Sequence, residues 1–189
     1  MNNSRELSQV AKTYLATYRD ILNDMILQMT NADLCDSISY NFIVQMIPHH
    51  QAAISMSNNI LKYTTNIRIE QIACQIVDEQ TKSIAGMRKI MCNCGRLENP
   101  CRTVEEYQDR ICKIIAEMHR QMEDARADNR IDCSFLSQMI PHHMGAVRMS
   151  ETTLKCDICP ELKPILQSII TSQKRGIMQM RALSGKLRC

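Results

Sequence analysis

Two identical segments of the chain carry the side chains best suited to chemistry. Gln-Met-Ile-Pro-His-His occurs at residues 45–50 and again at residues 138–143, and the two segments hold four of the five histidines. Imidazole and thioether groups are intermediate-to-soft ligands that favour copper and zinc over hard cations. The candidate metal ligands are therefore the four paired histidines and the methionines on the same helical faces, namely His49, His50, His142, His143, Met46, Met56, Met139 and Met149.

The spacing of apolar residues around the first segment places its histidines inside a helical protein. Phe42, Met46 and His49 continue to Ala53 and Met56 at intervals of three and four residues, which is the spacing of one helical face. Both histidines of each pair are therefore expected to be buried. The side chains left over are polar and are expected on the outer face: Asn41, Gln45, Gln51, Ser55, Asn58 and Asn59.

A buried histidine can instead be a core residue whose nitrogens are satisfied by hydrogen bonds, and for a lone histidine that interpretation is preferable. Adjacent buried pairs in two identical copies are harder to explain in this way. Pro48 and Pro141 each remove a backbone hydrogen bond, at a cost of about 3 kcal/mol in a helix interior. Keeping this arrangement twice favours a functional constraint, although geometry inherited through a duplication would give the same pattern.

A polar residue also interrupts the apolar stripe of the following helix in each copy. Gln80 and Gln173 occupy these core positions. Each either forms a helix–helix hydrogen bond or lies beside a metal ligand and fixes the tautomer of an imidazole; the two interpretations have equal support. Carboxylates are missing from the inward stripes, which argues against a di-iron site of the ferritin type.

The repetition extends far beyond the histidine segments. At a constant offset of 93 residues, identical residues recur without a gap, which indicates a tandem duplication of one domain (residues 1–189, with repeats at 1–95 and 96–189). The matches include Tyr14 with Tyr107, Phe42 with Phe135, Met56 with Met149, and Arg88 with Arg181.

Each half is predicted to form three helices, and no stretch alternates with the period of a strand. Ser39 and Asp132 are suitable N-cap residues. We expect an all-α antiparallel bundle whose core is a four-helix set from the second and third helices of each half. The expected helices cover about residues 7–29, 39–63, 67–92, 103–125, 132–155 and 160–183.

Composition narrows the functional classes. Hydrophobic residues make up 44% and charged residues 23% of the chain, and the net charge is only +3. No basic run supports nucleic-acid binding, and no apolar run approaches the roughly 20 residues that span a bilayer. No signal peptide follows Met1, so the chain as given is expected in the cytoplasm, or outside it if a leader was removed. The oligomeric state is left open.

The ten cysteines are not duplicated at the 93-residue offset. Cys92 with Cys94 and Cys156 with Cys159 form a candidate thiol metal site in a reducing compartment, whereas export would favour disulfides. Cys74 and Cys112 are expected to be small core residues.

The run from Met46 to Gln51, with Ala53 and Met56, resembles the bacterial family called domain of unknown function 305 (DUF 305). The resemblance implies a ferritin-like helical bundle of two similar repeats, with functional pairs at His49/His50 and His142/His143. Some members look like periplasmic copper-binding proteins, which makes copper the leading metal. The family usually has Asp three residues before the motif phenylalanine and often has Glu three after the third-helix glutamine. This chain has Asp132 but Ser39 at the first position, and Ser83 and Gly176 at the second.

Three functions are consistent with these features. The first is a metal-binding protein, for copper, acting in storage, buffering or resistance, with zinc or no metal as alternatives. The second is a metal-dependent oxidoreductase on the same bundle. The third is a structural or interaction module in which the histidines brace the core. The sequence favours a non-enzymatic role with a metal ion as partner.

Overall fold

The computed structural model describes residues 6–189, which form six α-helices and no β-strand. The all-helical class is therefore confirmed, and every expected helix is present with ends that lie within about one turn of the expected ones. The helices are α1 (Gln9–Thr30), α2 (Ile38–Ile60), α3 (Ile67–Cys94), α4 (Cys101–Glu123), α5 (Ile131–Thr153) and α6 (Leu162–Leu187). Among the residues described, no helix combines the length and apolarity that crossing a membrane requires.

The helix starts differ from the prediction at both expected N-caps. Ser37 caps α2 by accepting a hydrogen bond from the amide of Tyr40, so Ser39 lies within the first turn. The hydroxyl of Ser39 instead accepts from the amide of Cys159. No side chain caps α5, and Asp132 lies in its first turn, where a negative charge suits the helix dipole.

The six helices pack in the same way in both halves. Within each half, the second helix contacts the first and the third: α2 contacts α1 and α3, and α5 contacts α4 and α6. Between the halves, the contacts pair each helix with its own counterpart, α2 with α5, α3 with α6 and, more weakly, α1 with α4. Pairing of equivalent helices is what an approximate two-fold axis between the halves produces. The buried apolar residues form one cluster that draws on all six helices.

The polar face of α2 is not a solvent face, contrary to the prediction. Gln45 and Asn59 are each only 2% exposed because α1 covers them, and Asn41 is fully buried at the turn between α1 and α2. The amide of Gln45 donates to the carbonyl of Met29, and that of Asn59 donates to the carbonyl of Tyr14. Gln51 is exposed as expected, whereas Ser55 is only partly exposed. Hydrogen bonds to the backbone thus let polar residues occupy a buried helix contact.

Candidate metal centre

The two histidine pairs lie at the contact between α2 and α5, the two central helices. All four side chains are buried, with exposed fractions of 0% for His49, 1% for His50, 0% for His142 and 3% for His143. The burial predicted from the helical stripes is therefore confirmed. Each pair follows a proline inside its helix, Pro48 in α2 and Pro141 in α5.

His49 and His142 meet across the interface between the halves. Their ring centroids are 3.8 Å apart and the ring planes are tilted by 34°. Nε2 of His142 lies 3.1 Å from the backbone carbonyl oxygen of His49. Because a carbonyl can only accept, Nε2 of His142 carries the proton and Nδ1 carries a lone pair. The backbone of one repeat thus selects the tautomer of the histidine in the other.

The second histidine of each pair turns away from this stack toward the third helix of its own half. The ring centroids are 5.9 Å apart in the pair His49/His50 and 6.0 Å apart in the pair His142/His143. Nε2 of His50 lies 3.0 Å from the hydroxyl of Ser83 on α3. The pairs therefore diverge from a common centre.

His143 has a different neighbour, because Gly176 occupies the position on α6 that Ser83 occupies on α3. A Cβ atom at residue 176 would lie only 3.0 Å from Cδ2 and 3.1 Å from Nε2 of His143. Only glycine leaves this approach free. Ser83 and Gly176 are also the two positions at which the sequence departs from the glutamate of the family pattern. Comparison with the family pattern singled out both positions, but only the structure shows that they contact the histidines.

Burial lowers the pKa of all four imidazoles, since a charged ring would lose its hydration. Loss of hydration, and then repulsion from His142, lower the pKa of His50 to about 3. Burial lowers the pKa of His142 to about 4, although its hydrogen bond to the backbone carbonyl of His49 raises the pKa. The pKa values of His49 and His143 are also well below 6.5, from burial first and then from the neighbouring imidazoles. All four rings are thus neutral at pH 7, the form that binds metals.

Several buried polar atoms at this centre have no hydrogen-bond partner among residues 6–189. They are both ring nitrogens of His49, the Nδ1 atoms of His50, His142 and His143, and the side-chain oxygens of Gln80 and Gln173. Leaving such atoms unpaired costs about 1–3 kcal/mol each. Their concentration on α2, α3, α5 and α6 is a donor set that a cation would satisfy.

A cavity of about 270 Å³ between α3 and α6 reaches this centre from the surface. Its wall includes His50, Ser83, Gln80 and Gln173, and an ion pair between Glu79 and Arg175 lies at its rim. Within the described residues, no hydrogen bond joins either glutamine to a histidine or to the facing helix. The glutamines thus line the approach to His50.

The geometry also limits the number of imidazoles that one ion can bind. Within residues 6–189, no three ligand atoms of His, Cys, Asp or Glu residues that include a histidine nitrogen lie within 4.8 Å of one another. One ion can therefore take at most two of these nitrogens without a rearrangement. Four thioether side chains lie in the same core, with Met46, Met139 and Met149 fully buried and Met56 2% exposed.

The four cysteines of the candidate thiol site do not act together: one from the pair Cys92/Cys94 is bonded to one from the pair Cys156/Cys159. Cys94 and Cys159 form one disulfide, and Cys133 and Cys189 form a second. Cys92 is an exposed free thiol and Cys156 is a partly buried one. Cys74 and Cys112 are also exposed, so the prediction that they are core residues was wrong: both lie on outer faces of their helices.

The fold and these side chains define an all-helical protein with a buried candidate metal centre between two equivalent halves. The chain belongs to the DUF305 family, because the model of that family, a domain of unknown function, matches residues 39–184. The resemblance drawn from the histidine motif is thereby confirmed.

Solved structures of other proteins share this fold. CopM in a silver-bound form is 26% identical, with a TM-score of 0.58 over 78% of this chain and 95% of CopM. CopM in a Cu(II)-bound form is also 26% identical, with a TM-score of 0.58 over 78% and 97% of the two chains. A DUF305 fragment from Deinococcus radiodurans, at 20% identity and a TM-score of 0.58, covers 79% of this chain and 96% of its own and supports the fold alone. No curated protein matches the sequence.

Proposed function

We propose that this protein binds copper, as Cu(I), at the stacked pair His49 and His142, and that it acts in copper storage, buffering or resistance. The observation that carries the proposal is the tautomer of His142. Its Nε2–H donates a hydrogen bond to the backbone carbonyl of His49, so Nδ1 carries a lone pair that has no partner among residues 6–189. Histidines that ligate metals commonly donate their other N–H to a carbonyl in this way, which orients the ring and raises its basicity.

The available donors favour Cu(I) over harder or more highly coordinated ions. Two imidazole nitrogens and nearby thioethers form a soft, low-coordinate set, and thioether sulfur selects Cu(I). Zinc requires about four ligands in tetrahedral geometry, which the diverging histidines do not offer as they lie. Silver(I) is a soft cation of the same charge as Cu(I), so the silver-bound form of CopM supports this choice by analogy. The Cu(II)-bound form of CopM supports copper as the metal but does not bear on its oxidation state.

The cavity beside His50 supplies a route for the ion. Side-chain oxygens of Gln80 and Gln173 can accept hydrogen bonds from its hydration water or bind the ion directly on the way in. His49 and His142 themselves do not line this cavity, so copper bound between them would be held apart from solvent, as storage or buffering requires. Because the same cavity gives a substrate access to His50, a metal-dependent oxidoreductase is the second candidate, and consumption of oxygen with a reductant would separate the two.

The test measures the affinity for Ag(I), a probe that needs no reductant and leaves disulfides intact. The free thiols are first removed by replacing Cys35, Cys74, Cys92, Cys101, Cys112 and Cys156 with serine. In this background we expect Ag(I) to bind in competition with a chromophoric chelator. The double change His49→Ala and His142→Ala should abolish the binding, because it removes both stacked donors.

The matched control is His119→Ala, since His119 lies on α4 beside Glu123 and outside the cluster. It should bind Ag(I) as tightly as the parent. Equal binding by the double variant and the parent would contradict the proposal and leave the histidines as core residues. The same titration with Cu(I) under anaerobic conditions then tests the physiological ion.

A further inference from the structure

A second group of metal-ligand atoms lies away from the histidines, at the end of α3 and the start of α6. The sulfur atoms of Cys94 and Cys159 and a carboxylate oxygen of Glu161 all lie within 4.8 Å of one another. Cys94 is the last residue of α3, and Glu161 immediately precedes α6. Both cysteines are buried, at 0% and 3% exposure, whereas Glu161 is exposed. The group is therefore reachable from solvent through its carboxylate.

The carboxylate of Glu161 is held in place against the sulfur pair. The side-chain amide of Asn93 donates to its Oε1 at 2.8 Å, and its Oε2 lies 3.0 Å from Sγ of Cys159. A disulfide sulfur has no proton to share with that oxygen. A thiol would donate to it, and a cation would be bound by both. The carboxylate is thus already placed where it would accept a hydrogen bond from a thiol of the reduced pair or share a cation with it.

The surrounding backbone also favours a cation between these three groups. The carbonyl end of α3 carries partial negative charge, and the amide end of α6 stabilises negative groups such as a thiolate or a carboxylate. The amide of Cys159 is bound to Ser39, and the carbonyl of Cys94 is bound to Ser37. Hydrogen bonds to the start of α2 therefore fix the positions of both the Cys94 and the Cys159 backbone relative to each other.

The equivalent place in the other half of the molecule cannot bind a metal. Leu187 stands at the position of Cys94, Asn66 at that of Cys159 and Arg68 at that of Glu161. An apolar side chain and a cationic one replace two of the three donors. Among residues 6–189 the three-donor group therefore occurs once, and unlike the histidine pairs it is not part of the duplicated pattern.

We propose that Cys94, Cys159 and Glu161 form a redox-dependent site for a thiophilic divalent cation of the zinc type. In the oxidised protein the two sulfurs form a disulfide and bind no metal. A dithiol reductant supplies two electrons and two protons, the S–S bond breaks, two thiols form, and the reductant becomes a disulfide. The cation then displaces two protons and binds two thiolates and the carboxylate, with water completing a tetrahedron.

The test uses Co(II), whose absorption reports tetrahedral thiolate ligation, in the full chain with the six free cysteines replaced by serine. We expect one Co(II) per chain after reduction, a thiolate charge-transfer band, and displacement by Zn(II). The unreduced protein should show no band. Cys94→Ser with Cys159→Ser should abolish the band, and Glu161→Gln should weaken the affinity by about tenfold or more, as loss of a metal partner commonly does.

Two controls separate this site from the others. Cys133→Ser with Cys189→Ser removes the other disulfide and should leave the band unchanged, as should His49→Ala with His142→Ala. In the unmutated chain, Zn(II) should also protect Cys94 and Cys159 from alkylation, which mass spectrometry can follow without any substitution. Absence of the band in folded, reduced protein, or an unchanged affinity in Glu161→Gln, would overturn the proposal.

Discussion

The imidazole of His142 stacks on that of His49, with ring centroids 3.8 Å apart, and donates its Nε2 proton to the backbone carbonyl of His49. His49 thus orients the ring of His142 in two ways, by stacking its own ring on it and by accepting its hydrogen bond. The relationship is not reciprocal, since neither ring nitrogen of His49 has a partner within residues 6–189. Two positions that are equivalent in sequence are therefore chemically different, and Nδ1 of His142 is the ring nitrogen to which the contacts assign a free lone pair.

Binding of a soft monovalent ion should stabilise the folded protein. With the six free cysteines replaced, Cu(I) or Ag(I) at 100 times its dissociation constant should add about 2.7 kcal/mol to the free energy of unfolding. Thermal or urea unfolding followed by circular dichroism measures the gain. His49→Ala with His142→Ala should lose it, and His119→Ala should keep it. An equal gain in the double variant would place the ion elsewhere.

Stability without metal should fall in mild acid because the buried histidines resist protonation. Their pKa values lie below 6.5 in the folded state, about 3 for His50 and about 4 for His142. The unfolded chain therefore binds more protons below about pH 6.5, so the stability is fully present above that pH and is lost as pH falls toward the folded values. Each histidine should contribute up to about 1.4 kcal/mol per pH unit in this window.

Urea unfolding between pH 7 and pH 4.5 measures this slope. Replacing both His49 and His142 with glutamine should make it shallower, whereas His119→Gln should change it less. A free energy of unfolding that stays constant from pH 7 to pH 5 would show that the imidazoles are not buried as neutral rings.

The hydroxyl of Ser83 should stabilise α3 against α2 through His50. Ser83→Ala removes the group 3.0 Å from Nε2 of His50 and should lower the free energy of unfolding by about 1–3 kcal/mol, the usual effect of leaving a buried polar atom unpaired. Ser168→Ala is the matched control, because Ser168 is an exposed residue on the wall of the same cavity. Equal stability of the two variants would show that the Ser83 hydroxyl does not support the histidine.

Tyr14 should link the halves through a buried hydrogen bond. Its hydroxyl donates to the side-chain oxygen of Gln138 on α5 at 2.8 Å, and burial raises its pKa well above 10. Tyr14→Phe leaves the side-chain oxygen of Gln138 without its hydrogen-bond donor and should lower the free energy of unfolding, measured with urea, by about 1–3 kcal/mol. Tyr63→Phe is the control, since Tyr63 contacts Tyr14 edge to face and is only partly buried. Similar losses in both variants would assign the effect to aromatic packing.

Local periodicity was enough to predict the elements and part of the centre. The three- and four-residue spacing from Phe42 to Met56 gave the helix and the buried face, and the 93-residue offset predicted an equivalent helix in the second half. Both ends of α5 indeed lie 93 residues after those of α2. These features depend only on the order of side chains along a single helix, and that order can be read directly from the sequence.

Contacts between helices were decided by the tertiary structure alone. The sequence could not show that α1 covers Gln45 and Asn59, that Cys94 meets Cys159, or that Ser83 and Gly176 contact different histidines. It also could not assign the tautomer of His142, because that proton is placed by a carbonyl 93 residues away in the chain. Hydrogen bonds and metal sites depend on distances of a few ångströms between separate helices, and such distances arise only when the helices pack.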